Sequence, residues 1–274
     1  LNAMLEQIDR AFGARAASEA RALRSEDRMR RFVADASHEL RTPLTSIRGF
    51  AELHRQGAVT DPAEMSELLA RIEDEATRMG LLVDDLLQLA RLDQERPLTL
   101  APVDLAGVVV SAVAAARAAV PDRTVEVEVA DEADVAVSGD EPRLHQVVTN
   151  LLDNALSYSP AGTPVTVRLG PARRAERDYV AIEVVDRGPG LTAEQSERVF
   201  ERFYRVDAAR SRARGGTGLG LSIVDAIARA HGGAVEVDST PGHGATFRVL
   251  LPHATVPQLG PQPQPSPEPT PASG

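Results

Sequence analysis

Cysteine, tryptophan and lysine are all missing from the 274 residues. Without cysteine there is no disulfide framework and no thiolate-bound metal. Aromatic residues make up only 3% of the chain, so the cores that its 43% of hydrophobic residues build must be leucine, valine and alanine. With lysine absent, all 30 basic residues are arginine, and 40 acidic residues outweigh them to a net charge of -10. Such a balance argues against non-specific nucleic-acid binding. No apolar run approaches the roughly 20 residues that cross a bilayer. The opening residues do not read as a signal peptide, and the first residue is leucine, so the sequence reads as part of a longer protein.

What is present begins with a helix that carries an outward histidine. Val33, Ala36, Leu40, Pro43, Ile47 and Phe50 recur in alternating steps of three and four, a coiled-coil-like seam. With Val33 on the seam, His38 falls on the opposite side, flanked by Glu39 and Thr42. His38 and Thr42 are four apart and share a face. A neutral imidazole outside a bundle keeps one nitrogen lone pair free, and an adjacent carboxylate can hold the other N–H and raise its nucleophilicity. Pro43 removes a backbone N–H and is expected to bend the helix just after the histidine.

The pattern on either side sets the domain plan. Residues 1–22 read as a helical linker. The histidine helix is expected to stop near Gly57, and Asp61-Pro62 to open a second helix. That helix carries Met65, Leu69, Ile72, Ala76, Met79, Val83, Leu86 and Ala90, with a second row at Leu68, Leu82 and Leu89. So wide an apolar face predicts that two hairpins pair as a four-helix bundle, giving a homodimer through residues 23–96. From 103 to 253 helices and strands are mixed: helices at Leu105–Ala119, Glu141 to Tyr158 and Leu219–His231, and strands at Thr124–Val129, Val135–Ser138, Val165–Leu169, Tyr179–Val185, Ala234–Asp238 and Thr246–Leu251. That order predicts a two-layer α/β sandwich, so the fold class is α + α/β. Residues 254–274 are Pro/Gln-rich and are expected to be disordered.

Three glycine-rich turns and a pair of amides lie in the second domain. Asn150 and Asn154 share a helix face, where buried amides need a polar partner. Magnesium bridging phosphates is such a partner, since it needs few protein oxygens. Asp186-Arg187-Gly188-Pro189-Gly190 follows a strand; an aspartate there can accept from an adenine amine, and the glycines admit close approach. Gly216-Thr217-Gly218-Leu219-Gly220-Leu221 opens a helix, where backbone N–H groups cradle phosphate. A Rossmann turn would need a strand before it and a different glycine spacing. Gly242-His243-Gly244-Ala245-Thr246-Phe247 turns into the closing strand.

In this order the segments resemble the bacterial two-component sensor histidine kinases. His38-Glu39-x-x-Thr42-Pro43 is similar to their H box, Asn150–Asn154 to the N box, Val199–Arg205 to the F box and the three glycine turns to the glycine boxes of a Bergerat-type ATP-binding fold. The resemblance covers about residues 23–252. It implies that His38 accepts the phosphoryl group of ATP, that Glu39 assists as base and that Thr42 orients water in the reverse phosphatase reaction. It implies an ATP site at Asn150, Asn154, Tyr158, Asp186, Gly188, Gly190, Arg205, Gly216, Thr217, Gly218, Leu219, Gly220 and Thr246, with Asn154 as the Mg2+ ligand. The implied partners are a second copy of the chain and the receiver domain of a response regulator, with no nucleic acid. Residues 1–22 resemble the tail of a HAMP module, which implies the cytoplasmic part of an inner-membrane protein, attached through upstream segments only. One departure stands out: many relatives carry lysine where Ser157 lies, so Arg205, Arg210, Arg212 or Arg214 would have to supply the phosphate-directed cation. The competing functions are a gyrase B-like ATPase and a catalytically inactive dimeric scaffold. Asn150 weighs against the first, because an amide cannot take a proton from water where such ATPases carry glutamate.

Overall fold

The computed structural model describes residues 29–30, 32–93, 98–130, 135–174, 176–206 and 216–253. The helix expected over 1–22, the arginines at 210, 212 and 214 and the tail at 254–274 lie outside the described residues.

The stem is a helical hairpin. Helix α1, residues 32–55, runs unbroken through Pro43. It stops because Gly57 takes φ +69, where a side chain would strain. The Gly57 N–H then donates to the His54 carbonyl and the Ala58 N–H to the Leu53 carbonyl, a pairing that satisfies the free carbonyls of the last turn. Helix α2, Pro62–Asp93, starts as the sequence suggests: the Asp61 carboxylate accepts from the N–H groups of Ala63 and Glu64, and Pro62 occupies the first helical position.

The fate of the leucine rows differs from expectation. Leu82, Leu86 and Leu89 are buried within one chain, in a core shared with the second lobe. They are therefore not free to line a four-helix bundle. Leu44, Leu53, Leu69, Val83 and Leu87 stay exposed and are among the apolar residues left for a second hairpin. The 3–4 spacing fixes which face is apolar; it does not say what covers it.

The second lobe begins with β1, Ala101–Asp104, two residues before the expected boundary at 103. Among the described residues β1 pairs only with β3, Ala136–Gly139, and such an edge strand tolerates Pro102. Helix α3, Leu105–Ala119, is capped by the Asp104 carboxylate. Strand β2, Val125–Val129, precedes β3. Helix α4, Glu141–Tyr158, is capped by Asp140. Strands β4, Val165–Arg174, and β5, Arg177–Val185, form a hairpin longer than the alternation suggested. A short helix α5, Ala193–Arg198, lies where no element was expected; Thr192 and Gln195 close a reciprocal capping box there. Helix α6, Gly220–Ala230, strand β6, Ala234–Ser239, and strand β7, Ala245–Pro252, complete the lobe.

The main sheet has the order β2-β4-β5-β7-β6, parallel only between β2 and β4. Its inner residues, among them Val165, Val167, Ile182, Val184, Phe247 and Val249, are buried with Leu144, Val148, Leu151, Leu152, Ile223 and Ile227 of α4 and α6. The outer face carries charge instead. The register aligns Glu128, Arg168, Glu183, Arg248 and Glu236 across all five strands. Ion pairs join Glu128 to Arg168 and Arg248 to both Glu183 and Glu236, and Arg174 reaches Glu236 as well. Alternating charge solvates a sheet face that no described helix covers.

Burial decides which rung matters. Glu128 and Arg168 are more than half exposed, whereas Arg248 and Glu183 are 33% and 21% exposed. Replacing Arg168 by alanine should cost under about 0.5 kcal/mol, because water screens that pair. Replacing Arg248 by alanine leaves Glu183 and Glu236 facing each other and should cost about 1–2 kcal/mol. Denaturant unfolding of the two variants checks the difference.

Candidate functional site

Helix α4 connects the two groups of glycine turns. The stretch of it that does so runs from Asn150, mid-helix, to Tyr158, and at its Asn150 end the side-chain amide donates to the Gly220 carbonyl, 3.2 Å away, where α6 begins. At its other end the Tyr158 carbonyl lies against Gly188, where an added Cβ would come within 3.1 Å of it. Asn154 sits between. Eight residues of helix separate the two ends by about 12 Å.

The Asp186 end is built by interlocked turns. The Asp186 N–H donates to the Ala245 carbonyl, and its Oδ1 accepts from the Gly188 N–H at 2.7 Å. The Gly242 N–H donates to the Pro189 carbonyl at 2.7 Å. The Ser239 hydroxyl receives the Leu191 N–H and donates to the Gly244 carbonyl. Gly190 has φ +70, and an added Cβ would overlap the Thr240 carbonyl. The first and third glycine turns are thus one unit, with Thr246 leaving it along β7 beside Val185.

Asp186 is only 5% exposed. Burial pushes its carboxyl up from the usual range, against the pull of the backbone N–H groups of Gly188 and Ala245. A buried carboxylate whose ionisation is disfavoured by burial marks a candidate binding position. The linkage has a definite sign. With its pKa raised on folding, Asp186 contributes stability that is complete below the unfolded value of about 3.9 and is lost as pH rises through the folded one. The melting temperature of the wild type should therefore gain on that of Asp186→Asn as pH falls from neutral towards 4. Thermal melts of both proteins across that range check it.

The Asn150 end gathers the second glycine turn and the Val199–Arg205 segment. The Phe203 N–H donates to the Gly218 carbonyl at 2.9 Å, and both residues take positive φ. Arg205 donates to the Gly216 carbonyl, and its Nε lies where a Cβ on Gly218 would come within 3.0 Å. Helix α6 starts at Leu219 without a side-chain cap. A helix start leaves its first N–H groups without intrahelical partners, and its positive end suits an anion. The Thr217 hydroxyl accepts from the Leu219 N–H and donates to Asp85 of the stem, 2.6 Å away. The arrangement suits a molecule with a flat polar end at Asp186 and an anionic end at Thr217. Asn154, midway, offers one amide oxygen, enough for a magnesium ion that takes its other ligands from phosphate and water. Among the described residues no cluster of three or more His, Asp or Glu is placed to hold a metal alone.

His38 stands apart from this cleft. It and Thr42 are exposed on α1, and Glu39 is half-buried beside them. The Thr42 hydroxyl donates to the His38 carbonyl at 3.4 Å. Phe32, Ala36 and Leu40 of α1 pack on the core, and Arg202 lies over the Phe32 ring at 5.3 Å. His38 is on roughly the opposite side of the helix from those residues. The structure thus brings together Asn150, Asp186 and the glycine turns through α4, and does not bring His38 to them. Sequence reasoning missed Asp85 and Gln88; the side-chain amides of Gln88 and Gln146 also bond reciprocally between stem and lobe.

Known proteins share this layout. Residues 28–95 match the His Kinase A (phospho-acceptor) domain, and residues 139–255 match the histidine kinase-, DNA gyrase B-, and HSP90-like ATPase. The probable sensor histidine kinase TcrY of Mycobacterium tuberculosis is 47% identical over 92% of this chain and 50% of its own length. The chain spans about half the length of such curated relatives. Among solved structures, full-length ShkA in complex with AMPPNP is 32% identical, with a TM-score of 0.55 over 80% of this chain and 45% of that one. Histidine kinase ThkA in complex with response regulator protein TrrA shares the fold at 22% identity, with a TM-score of 0.64 over 81% of this chain and 60% of that one.

Proposed function

This chain belongs to the sensor histidine kinase family, and from that premise we propose that it phosphorylates its own His38 from ATP and passes the phosphoryl group to an aspartate of a response regulator. The observation that carries the reading is that α4 touches the start of α6 at Asn150 and the Asp186–Gly188 turn at Tyr158, in one chain with a stem that carries an exposed histidine.

Adenine would sit against Asp186, Gly188 and Tyr158, with Thr246 and Gly190 closing that end. The phosphates would lie at Asn150, Thr217 and the start of α6, with Arg205 beside them. Bound magnesium, held through Asn154, would neutralise phosphate charge. A ring nitrogen of His38 attacks the γ-phosphorus; the N–P bond forms as the bond to the β–γ bridging oxygen breaks, and ADP leaves with the electron pair. Glu39 holds the other ring N–H and stabilises the charge that develops on the imidazole. The work is positioning and charge neutralisation, and the lobe must move to reach His38. Thr42, on the His38 face, would orient water in the reverse reaction on the regulator.

The exposed Leu44, Leu53, Leu69, Val83 and Leu87 would pair the stem with a second copy. Among the described residues no helix is long and apolar enough to cross a membrane; attachment of the intact protein through segments outside this chain belongs to the proposal. Incubation with γ-labelled ATP and Mg2+ tests it: the protein should acquire acid-labile, base-stable label. Free phosphate with no labelled protein would point to a gyrase B-like ATPase, and absence of nucleotide binding to an inactive scaffold.

A further inference from the structure

The stem holds the nucleotide lobe by its phosphate end. Two polar contacts tie α2 to it: Asp85 accepts from the Thr217 hydroxyl at 2.6 Å, and Gln88 exchanges amide hydrogen bonds with Gln146 of α4. Behind them Leu82, Leu86 and Leu89 are buried in the shared core. Thr217 belongs to the turn that opens α6, and α6 has no side-chain cap. The positive end of a helix attracts an anion, and the stem supplies one, the Asp85 carboxylate. Burial raises the Asp85 carboxyl, and Asp84 beside it pushes the same way, against the Thr217 hydrogen bond. The carboxylate is thus held at a cost in solvation that the turn offsets.

We propose that Asp85 is an internal competitor for the phosphates of the nucleotide: it occupies the Thr217 turn when ATP is absent and must leave when ATP arrives. Two anions at one uncapped helix end repel. Displacing Asp85 breaks the contact that pins the lobe to α2, on the side of the stem away from His38. Nucleotide arrival thereby loosens the lobe for its movement towards the histidine, and an empty lobe stays docked. Gln88 and Gln146 strengthen the docked arrangement but carry no charge, so they do not compete. The inference rests on the nucleotide-site reading above.

The test is nucleotide affinity, measured by calorimetry on the full 274-residue chain with Mg2+ and the non-hydrolysable analogue AMPPNP. Asp85→Asn keeps a hydrogen-bond acceptor and removes the charge; Asp85→Ala removes both. Both should bind AMPPNP roughly tenfold more tightly than the wild type, the size expected for one partly screened like-charge contact. Gln88→Ala should tighten binding by less. Adenosine, which has no phosphate, should bind the wild type and Asp85→Asn alike. AMPPNP affinity unchanged or weakened in both Asp85 variants overturns the inference, as does equal tightening of adenosine and AMPPNP. If AMPPNP binds the wild type and the Asp85 variants equally well, the nucleotide site stands and only the competitor role fails; if neither wild type nor variants bind it, the functional reading falls as well.

Discussion

Replacing His38 by alanine should leave the protein with no acid-labile label after incubation with γ-labelled ATP, while its nucleotide affinity stays at the wild-type value. The chain has six histidines, and their surroundings separate them. His231 is buried with both ring nitrogens engaged: Nδ1 bonds to the Ile227 carbonyl at 2.8 Å, and Nε2 accepts the Asp140 N–H at 3.0 Å. It has no lone pair to offer. His145 lies on α4 beside Thr149, and Nδ1 of His243 meets the Pro241 carbonyl in its own turn. His54 is the instructive control. It is exposed on the same helix as His38, but Arg55 and Gln56 follow it where Glu39 follows His38. His54→Ala should label as the wild type does. Glu39→Gln keeps the acceptor and the shape but removes the carboxylate proposed as base, so its labelling rate should drop roughly 10²-fold or more. Label retained on His38→Ala would place the acceptor elsewhere and end the kinase assignment as framed. Loss of nucleotide binding in that variant would show that the stem and the cleft are not the separate parts described above.

The parts of the molecule that were legible in the sequence share a cause: their determinants are local. Asp61, Asp104 and Asp140 precede apolar periodicity, and each caps a helix. Val125, Val165 and Val180 lie on apolar-rich runs, and strands form over them as expected. The glycine turns could be read because positive φ at Gly190, Gly218 and Gly244 leaves few other residues. Helix α5 was missed although Thr192 and Gln195 carry its capping signal, because a six-residue helix shows no periodicity. What was not legible is non-local. Nothing near Leu82 or Leu89 says whether another subunit or another domain of the same chain covers them. The Asp85–Thr217 contact joins residues 132 apart. The five-strand charge ladder exists only once the order β2-β4-β5-β7-β6 is known. Spacing names the candidate residues, and three-dimensional closure decides which of them meet.

Gly244→Ala should unfold the cleft, and a neighbouring glycine gives the control. Gly242 and Gly244 have nearly the same backbone, with φ +84 and +83. A Cβ on Gly242 meets nothing within 4 Å, whereas one on Gly244 would overlap the Asp186 carbonyl oxygen and come within 2.9 Å of its carbonyl carbon. Gly242→Ala therefore carries only the left-handed backbone penalty, about 1 kcal/mol. Gly244→Ala adds a clash with backbone that cannot turn away, for a total of about 3–5 kcal/mol. In a lobe of this size that lowers the melting temperature by roughly 10 °C. The strand end cannot yield without moving Asp186, because the Asp186 N–H is bonded to the Ala245 carbonyl and its Oδ1 to Gly188. Nucleotide affinity should thus fall with stability in Gly244→Ala and hold in Gly242→Ala. Gly80→Ala sets the other end of the scale: the residue lies within α2 with open space around it, and alanine there should stabilise by about 0.5–1 kcal/mol. Thermal melts and AMPPNP titrations of the three variants check the ranking. Equal losses at 242 and 244 would mean that backbone strain alone sets the cost, and that the contact between the first and third glycine turns does not hold Asp186 in place.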